Sequence, residues 1–373
     1  MTKPLRSKLR ALGLMSGTSM DGIDVALLTT DGQASVTRGA SAAYPYPPDF
    51  QARLRAGLDD VKAMLAGSER PGALADLERD LTERHAEAVQ AFLATQGIAP
   101  AAIDVIGFHG QTVLHRPEAQ LTVQLGDGRR LADLTGIDVV YDMRAADVAA
   151  GGQGAPLVPV YHQALATERT ERPIAFLNIG GVANVTWIGP EGELLAFDTG
   201  PGNALIDDWV RGKSGQAWDE GGKLAATGQL DNTALTQLLA ASFFTAPPPK
   251  SLDRNAFDAG PLQHLSLEDG AATLTAFTAA AVSKAVVLCP EPPKLWIVGG
   301  GGSKNLTLMA MLEKVLQAPV MAADSIGLNS TSLEAEAWAY LAVRSLRGLP
   351  LTFPQTTGVP APTTGGVLAR GKA

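Results

Sequence analysis

The chain carries a single cysteine, Cys289, in 373 residues. A lone thiol excludes an intramolecular disulfide and any metal site built on several cysteines. Basic charge is also short, with 30 Lys and Arg against 38 Asp and Glu, a formal net charge of −8. A protein held to nucleic acid by phosphate contacts normally presents a basic face, so that class is disfavoured. Long apolar runs are missing as well. The basic start, Lys3 to Arg10, leads only to the short apolar stretch Ala11–Met15 before Ser16-Gly17-Thr18. A secretion signal needs roughly 7–15 apolar residues and a membrane-spanning helix about 18. The expectation is a cytoplasmic protein with no membrane or nucleic-acid partner.

Several familiar motifs are absent too. Gly212-Lys213-Ser214 looks like the end of a Walker A loop, but Asp207 stands where that loop needs its first glycine. The stretch from Gly299 fails the dinucleotide fingerprint because Lys304 replaces its last glycine. No G-x-S-x-G elbow occurs. The five histidines, His85, His109, His115, His162 and His264, lack metal-ligand spacing.

What is present is an ordinary packed composition, 46% apolar and 18% charged, long enough for about two domains. Forty glycines and 24 prolines imply many turns. Short apolar runs predict strands at Leu9–Met15, Ile23–Leu28, Ser35–Ala43, Ile103–Phe108, Val139–Asp142, Ile174–Ile179, Val182–Ile188, Leu194–Phe197 and Lys294–Val298. Helical spacing covers Pro47–Leu65, Leu74–Gln96, Ala204–Lys213, Gly221–Thr227, Thr233–Ala240, Ala271–Leu288, Leu306–Val315 and Leu333–Leu346. In the second of these, Leu74, Leu77, Leu81, His85, Ala88 and Phe92 fall near one face. The Pro/Thr/Gly-rich stretch from Leu349 reads as an ordered loop or a frayed end.

One plan occurs twice. An apolar strand, a tight glycine turn and a second apolar strand run from Leu12 to Leu28 and again from Phe176 to Ile188. A duplicated hairpin-led α/β domain would set two glycine turns across a cleft, although two hairpins can also arise independently.

Three segments carry chemistry. In Gly13–Asp24, successive N–H groups of a glycine turn can form an anion-binding nest, with Thr18 and Ser19 adding hydroxyls. Asp21 can hold Mg²⁺ through water, since Mg²⁺ keeps waters and takes few carboxylates. The plainer reading is a Ser/Asp-rich hairpin turn. In Phe197-Asp198-Thr199-Gly200-Pro201-Gly202-Asn203, a carboxylate stands at a strand end before a helix N-terminus that favours phosphate; Asp198 as a turn or capping residue is the plainer reading. Gly299–Gly302 suits a flat nucleoside lying on bare backbone, or a flexible loop. Two further loops, Asp142–Pro156 and Lys250–Asn255, are rich in polar groups and suit polyhydroxyl recognition or an interdomain clasp.

Taken in order, the strings Gly-Leu-Met-Ser-Gly-Thr-Ser-Met-Asp-Gly from Gly13, His-Gly-Gln-Thr from His109, Asp-Val-Ala-Ala-Gly-Gly-Gln-Gly-Ala-Pro-Leu-Val-Pro from Asp147, Leu-Asn-Ile-Gly-Gly from Leu177, Phe-Asp-Thr-Gly-Pro-Gly-Asn from Phe197 and the glycines from Gly299 resemble the anhydro-N-acetylmuramic acid kinase family. They span nearly the whole chain. The resemblance implies the α/β fold of the actin, hexokinase and heat-shock chaperone ATPases: two duplicated ribonuclease H-like domains, expected at 1–170 and 171–373, with an interdomain nucleotide cleft. It implies conversion of 1,6-anhydro-N-acetylmuramic acid, ATP and water into N-acetylmuramic acid 6-phosphate and ADP, in cell-wall recycling.

The same resemblance implies site residues. Asp198 would be the catalytic base. Gly17, Thr18, Ser19, Met20, Asp21, Gly22, Ile23 and Asp24 would bind ATP phosphates, and Gly180, Gly181, Gly300, Gly301 and Asn305 the rest of the nucleotide. Sugar contacts would come from Ser16, His109, Gln111, Arg144, Asp147, Gly154, Ala155 and Glu334, the last being otherwise readable as an exposed helix charge. ATP and Mg²⁺ are the implied cosubstrate and metal, and a homodimer the implied assembly. The segment Lys250–Phe257 departs from the commoner family form, with Leu252, Asp253 and Asn255 for Thr, Gly and Glu, which puts its role in doubt. Thr199 stands where some relatives have Cys. A kinase for another anhydrosugar such as levoglucosan, or a non-catalytic ATP sensor, are the alternatives.

Overall fold

The computed structural model describes residues 6–372 except Thr18. Twelve strands follow in chain order: β1 (Leu9–Ser16), β2 (Gly22–Thr30), β3 (Val36–Pro45), β4 (Val105–Arg116), β5 (Leu121–Leu125), β6 (Val139–Tyr141), β7 (Ile174–Ile179), β8 (Val182–Ile188), β9 (Leu194–Pro201), β10 (Leu295–Gly299), β11 (Val320–Ala322) and β12 (Val367–Ala369). They form one seven-stranded and one five-stranded sheet.

The chain divides into two compact units, Met1–Thr167 with Ser332–Ala373, and Glu168–Thr331. In the first, β1 pairs antiparallel with β2 and β2 with β3, while β4 and then β6 add in parallel on the far side of β1. In the second, β7 pairs antiparallel with β8 and β8 with β9, while β10 and then β11 add in parallel beyond β7. Strand order and direction therefore repeat, so the doubled hairpin seen in the sequence is a doubled domain. The first unit extends the shared plan with β5 on β4 and β12 on β6.

Burial explains the strand sequences. Central strands such as β1 and β10 are covered on both faces and read as nearly unbroken apolar runs. The edge strand β3 is mostly half-exposed and carries polar residues. The helix Leu74–Gln96 buries all six residues expected on its apolar face and stops at Gly97, whose φ is 62°. The helix Leu267–Val286 begins about a turn before its expected start, because the Ser266 hydroxyl accepts from the Asp269 N–H at 3.1 Å as an N-cap.

A division into 1–170 and 171–373 is corrected by the last segment. The helix Leu333–Leu346 packs on β1, β2 and β4 of the first unit. Its seat is made by Gly13 and Gly107, which are register partners on β1 and β4. A Cβ on Gly13 would stand 1.7 Å from the Ala335 carbonyl oxygen, and one on Gly107 2.0 Å from that of Trp338. The helix backbone thus lies on bare sheet.

Buried charge fastens the same helix. Glu336, 2% exposed, accepts from Arg38 Nε at 2.7 Å and Nη2 at 2.8 Å, from the Tyr161 hydroxyl at 2.6 Å and from the Ser332 hydroxyl at 2.9 Å. Removing one partner of such a pair leaves a buried charge uncompensated. Glu336→Ala is expected to lower stability by about 3–5 kcal/mol in urea unfolding.

Two other expectations change. The strand expected to end at Phe108 runs on through His109-Gly110-Gln111-Thr112 to Arg116 and pairs with β5. Gly110, at φ 71°, allows the change of path, because a Cβ there would meet the Leu125 carbonyl at 2.3 Å. The stretch from Leu349 is ordered, with Thr352 bridged to Thr363 and β12 paired with β6. Among the described residues, no helix is long and apolar enough to cross a membrane.

Candidate active site

In the first unit, the Ser16–Gly22 turn leaves β1 at the sheet end where β4 bends away. Met20 donates its N–H to the Gly17 carbonyl at 3.1 Å and takes a left-handed φ of 56°. The Ser19 hydroxyl donates to Asp21 Oδ1 at 2.8 Å. Thr18 lies outside the described residues. Ser16 and Gln111 are fully buried. The Ser16 hydroxyl donates to Gln111 Oε1 at 2.7 Å, and Gln111 Nε2 donates to the Gly17 carbonyl at 3.0 Å. Both residues therefore brace the turn from beneath.

Behind the turn stand one cation, Arg144, and two rings, His109 and Trp338. His109 contacts the Ser16 carbonyl through Nδ1 at 3.3 Å, and Arg144 Nε reaches His109 Nε2 at 3.3 Å. Burial first, and the Arg144 charge second, hold the His109 imidazole well below its usual pKa. The neutral ring donates from Nδ1 and accepts at Nε2. Arg144 also donates to the Gly154 carbonyl at 2.8 Å and lies 5.0 Å from the centre of the Trp338 ring. Burial lowers its pKa to about 10, against the opposing charges of Glu334 and Asp147, so it stays a cation at neutral pH.

Asp147 is 2% exposed and spends both oxygens on the protein. Oδ1 accepts from the Gly154 N–H at 2.6 Å and Oδ2 from the Thr357 hydroxyl at 2.6 Å. It shapes the Gly151–Pro156 loop and leaves Ala155 at the loop surface. Glu334 is exposed, whereas its helix neighbour Glu336 is the structural carboxylate. Asp24 has its pKa raised to about 6, by burial first and then by the charges of Asp21 and Glu334. Among the described residues, no group of three or more His, Cys, Asp or Glu side chains converges on a metal position.

In the second unit, three loops meet beyond the strand ends. The Gly180-Gly181 turn is tied to the Gly202–Ala204 segment, with Asn203 N–H on the Gly180 carbonyl at 2.7 Å and Gly202 N–H on that of Gly181 at 3.0 Å. The Asn203 side chain adds a bond to the Ile179 carbonyl at 3.1 Å. The Gly299–Gly302 loop follows β10, which is parallel to β7. Sites outside the carboxyl ends of parallel strands are the usual ligand positions in α/β folds.

These glycines fall into two kinds. Gly300 has φ 73° and Gly202 has no room, since a Cβ would meet the Gly180 carbonyl at 2.3 Å. Gly180, Gly181 and Gly301, like Gly17 in the first unit, have neither constraint. A Cβ on them would meet nothing nearer than 3.5 Å. Gly22 is of the first kind, pressed against the Tyr44 carbonyl. Asn305 caps the helix Leu306–Leu316 through Oδ1, at 2.9 Å from the Leu308 N–H. Beside these loops lies a cavity of about 630 Å³, lined among others by Asn203, Trp218, Glu220, Gly221, Gly301 and Asn305. Trp218, 60% exposed, gave no signal in the sequence beyond being a solitary aromatic in a polar stretch.

Asp198 stands on β9 opposite Asn184 of β8. Its N–H donates to the Lys250 carbonyl at 2.9 Å, and its Oδ2 accepts from the Leu252 N–H at 2.7 Å. Burial raises its pKa to about 6, against the Leu252 hydrogen bond and the Lys250 charge, which lower it. The loop Lys250–Asn255, of doubtful role in the sequence, thus touches the carboxylate directly.

Two units that repeat one five-strand plan, each opening on a glycine hairpin, define a duplicated α/β protein. The profile of the family described as Anhydro-N-acetylmuramic acid kinase matches residues 9–370, and the chain belongs to that family. It is 54% identical to the anhydro-N-acetylmuramic acid kinase of Methylobacterium nodulans, over 97% of this chain and all of that protein. It is 53% identical to the kinase of that name from Bradyrhizobium diazoefficiens, over 97% of this chain and 99% of the relative. Among solved structures it resembles component A of (R)-2-hydroxyglutaryl-CoA dehydratase from Acidaminococcus fermentans, with a TM-score of 0.48 and 11% identity over 90% of this chain and 99% of that one.

Proposed function

We propose that this chain phosphorylates 1,6-anhydro-N-acetylmuramic acid with hydrolysis of the anhydro bridge, using ATP and yielding N-acetylmuramic acid 6-phosphate and ADP. The observation that carries the reading is Asp198, a partly buried carboxylate with one oxygen bonded and a pKa of about 6, inside the family's Phe-Asp-x-Gly-Pro-Gly-Asn motif. A general base works best with a pKa near the working pH.

In this reading Asp198 takes a proton from a water that attacks the anomeric carbon opposite the bridging oxygen, as in inverting glycoside cleavage. The bond from C1 to the bridging oxygen breaks, and the freed 6-oxygen attacks the γ-phosphorus of ATP as the bond to ADP breaks. The proton leaves Asp198 for solvent. Phosphoryl transfer asks mainly for positioning and charge neutralisation. Arg144, Glu334 and the Gly154–Ala155 loop are the proposed sugar contacts. Ser16, His109, Gln111 and Asp147 act beneath them, because their polar groups are spent on the protein. The Gly17–Asp24 turn is the proposed phosphate loop.

Mg²⁺ suits that turn, since it retains waters and needs only one or two carboxylates. Asp21 would hold it through water, next to the negative potential of Asp24 and Glu334. Bound there, the ion supplies charge neutralisation to the phosphates.

The unconstrained glycines support nucleotide contact, because neither strain nor packing asks for glycine at these positions. The cavity beside Gly301 has the volume of a small-molecule site and is the proposed nucleoside pocket. Gly301→Ala is expected to melt like the wild type while raising KM for ATP about tenfold, read by steady-state kinetics beside a thermal melt. The function is tested by sugar-dependent ADP release with MgATP, with mass spectrometry of the product. Gain of one phosphate and one water is the expected result. Absence of sugar-dependent release from a protein that binds ATP would overturn it. A homodimer and a cytoplasmic location complete the proposal, the first to be read by sedimentation and the second by fractionation.

A further inference from the structure

The mechanism leaves Lys250, a half-buried cation beside the Asp198 motif, unused. Lys250 donates from Nζ to the Phe243 carbonyl at 2.7 Å, and the same nitrogen lies 4.4 Å from the centre of the Phe243 ring and 5.8 Å from that of Phe197. Phe197 immediately precedes Asp198. Two residues on, the Leu252 N–H holds Asp198 Oδ2, while the Lys250 carbonyl receives the Asp198 N–H. Downstream, Arg254 Nη2 bridges both oxygens of Asp208 at 3.0 and 3.1 Å, on the helix that follows the Asp198 motif. Phe257 then packs at 5.5 Å from Phe244 and 5.4 Å from Phe277. The segment is therefore anchored at Lys250, Arg254 and Phe257, with the carboxylate gripped by main chain between the first two anchors.

We infer that Lys250–Leu252 is the positioning element of Asp198: it turns Oδ1 toward the proton to be taken and sets Lys250 as the carboxylate's electrostatic counterweight. This rests on the reading of Asp198 as the base. A carboxylate held by one backbone donor at Oδ2 loses rotation about its last bond, and Oδ1 has no hydrogen bond among the described residues. The departures at Leu252, Asp253 and Asn255 are tolerated because the grip on Asp198 uses the Leu252 main chain, and the anchors are other side chains. Lys250 is the charge acting on Asp198 from this segment; Asn184 on β8 and the Phe197 and Phe243 rings are neutral. The pairing is mutual, since burial lowers the Lys250 pKa and the Asp198 charge opposes it. Lys250 is a positioning residue, acting through Asp198 without entering the chemistry.

The test is the pH dependence of kcat, with saturating MgATP and 1,6-anhydro-N-acetylmuramic acid, for wild type, Lys250→Met, Lys250→Arg and Asp198→Asn. Loss of a neighbouring positive charge raises a carboxylate pKa by about one unit or more. The acidic limb of Lys250→Met is expected about one pH unit above that of wild type, so that the deficit at pH 6 is about fivefold larger than at pH 8. Lys250→Arg is expected to restore the limb. Coincident limbs for wild type and a folded Lys250→Met, with Asp198→Asn inactive, would overturn the inference and spare the base. An active Asp198→Asn would overturn the base itself. Should Lys250→Met fail to fold, Arg254→Ala carries the test, because it loosens the segment without removing the charge. A fall in kcat of about threefold with unchanged KM for ATP and an unmoved limb is expected, and an unaltered kcat would overturn the inference.

Discussion

Asp198→Asn is expected to lower sugar-dependent ADP release by about 10²–10⁴-fold, the range carried by a positioned general base. The amide keeps an oxygen for the Leu252 N–H, so the local fold should persist. The carboxylate is raised to about 6 mainly by burial, so its ionised form weakens the folded state above that pH. Removing the charge relieves this cost, and the variant should melt no lower than wild type. ATP affinity, read by calorimetry, should be nearly unchanged. The wild-type rate should itself fall as pH drops through about 6, because only the unprotonated carboxylate accepts a proton. A variant with wild-type turnover would sink the assignment, and a variant that is dead but also unfolded would not support it.

Gly107→Val is expected to cost far more stability than a side chain added at an open glycine. The site already places the Trp338 carbonyl oxygen 2.0 Å from where a Cβ would be. The obstructing atom is helix backbone, which cannot swing aside as a side chain can. Accommodation would require lifting the helix Leu333–Leu346 from β1 and β4, with loss of the Glu336 ties to Arg38 and Tyr161. A loss of more than about 4 kcal/mol, at the diagnostic extreme for single substitutions, is expected in urea unfolding. Gly301→Val offers the control, since a Cβ at Gly301 meets only Asn203 Nδ2, at 3.5 Å. Equal losses at the two glycines would contradict the account of the helix seat.

Much of this could be read from the residues alone. The repeated hairpins from Leu12 and Phe176 foretold the doubled sheet, because apolar strands and glycine turns are local features. The length of β4 was hidden, since His109-Gly110-Gln111-Thr112 reads as a turn while β5 completes its pairing. The destination of Leu333–Leu346 was hidden too. Its own periodicity reports only that it is buried, and the complementary notch is split between Gly13 and Gly107, far apart in sequence. At the site, motif order nominated Asp198 and the glycine loops as candidates. It could not separate Gly301, left open, from Gly300, held at positive φ. Nor could it show that Ser16, Gln111 and Asp147 spend their polar groups on neighbours. The role of Lys250–Leu252 escaped because its hold on Asp198 is made by main-chain groups, which every residue except proline supplies.

Because the helix Leu333–Leu346 belongs to the first unit, the two halves cannot mature in the order in which they are synthesised. Glu168–Thr331 is continuous and can close as soon as it leaves the ribosome. The earlier unit must wait, with the furrow at Gly13 and Gly107 uncovered, until Leu333–Leu346 arrives. At about 5–20 residues per second this delay lasts many seconds, during which the oldest part of the nascent chain is its least finished.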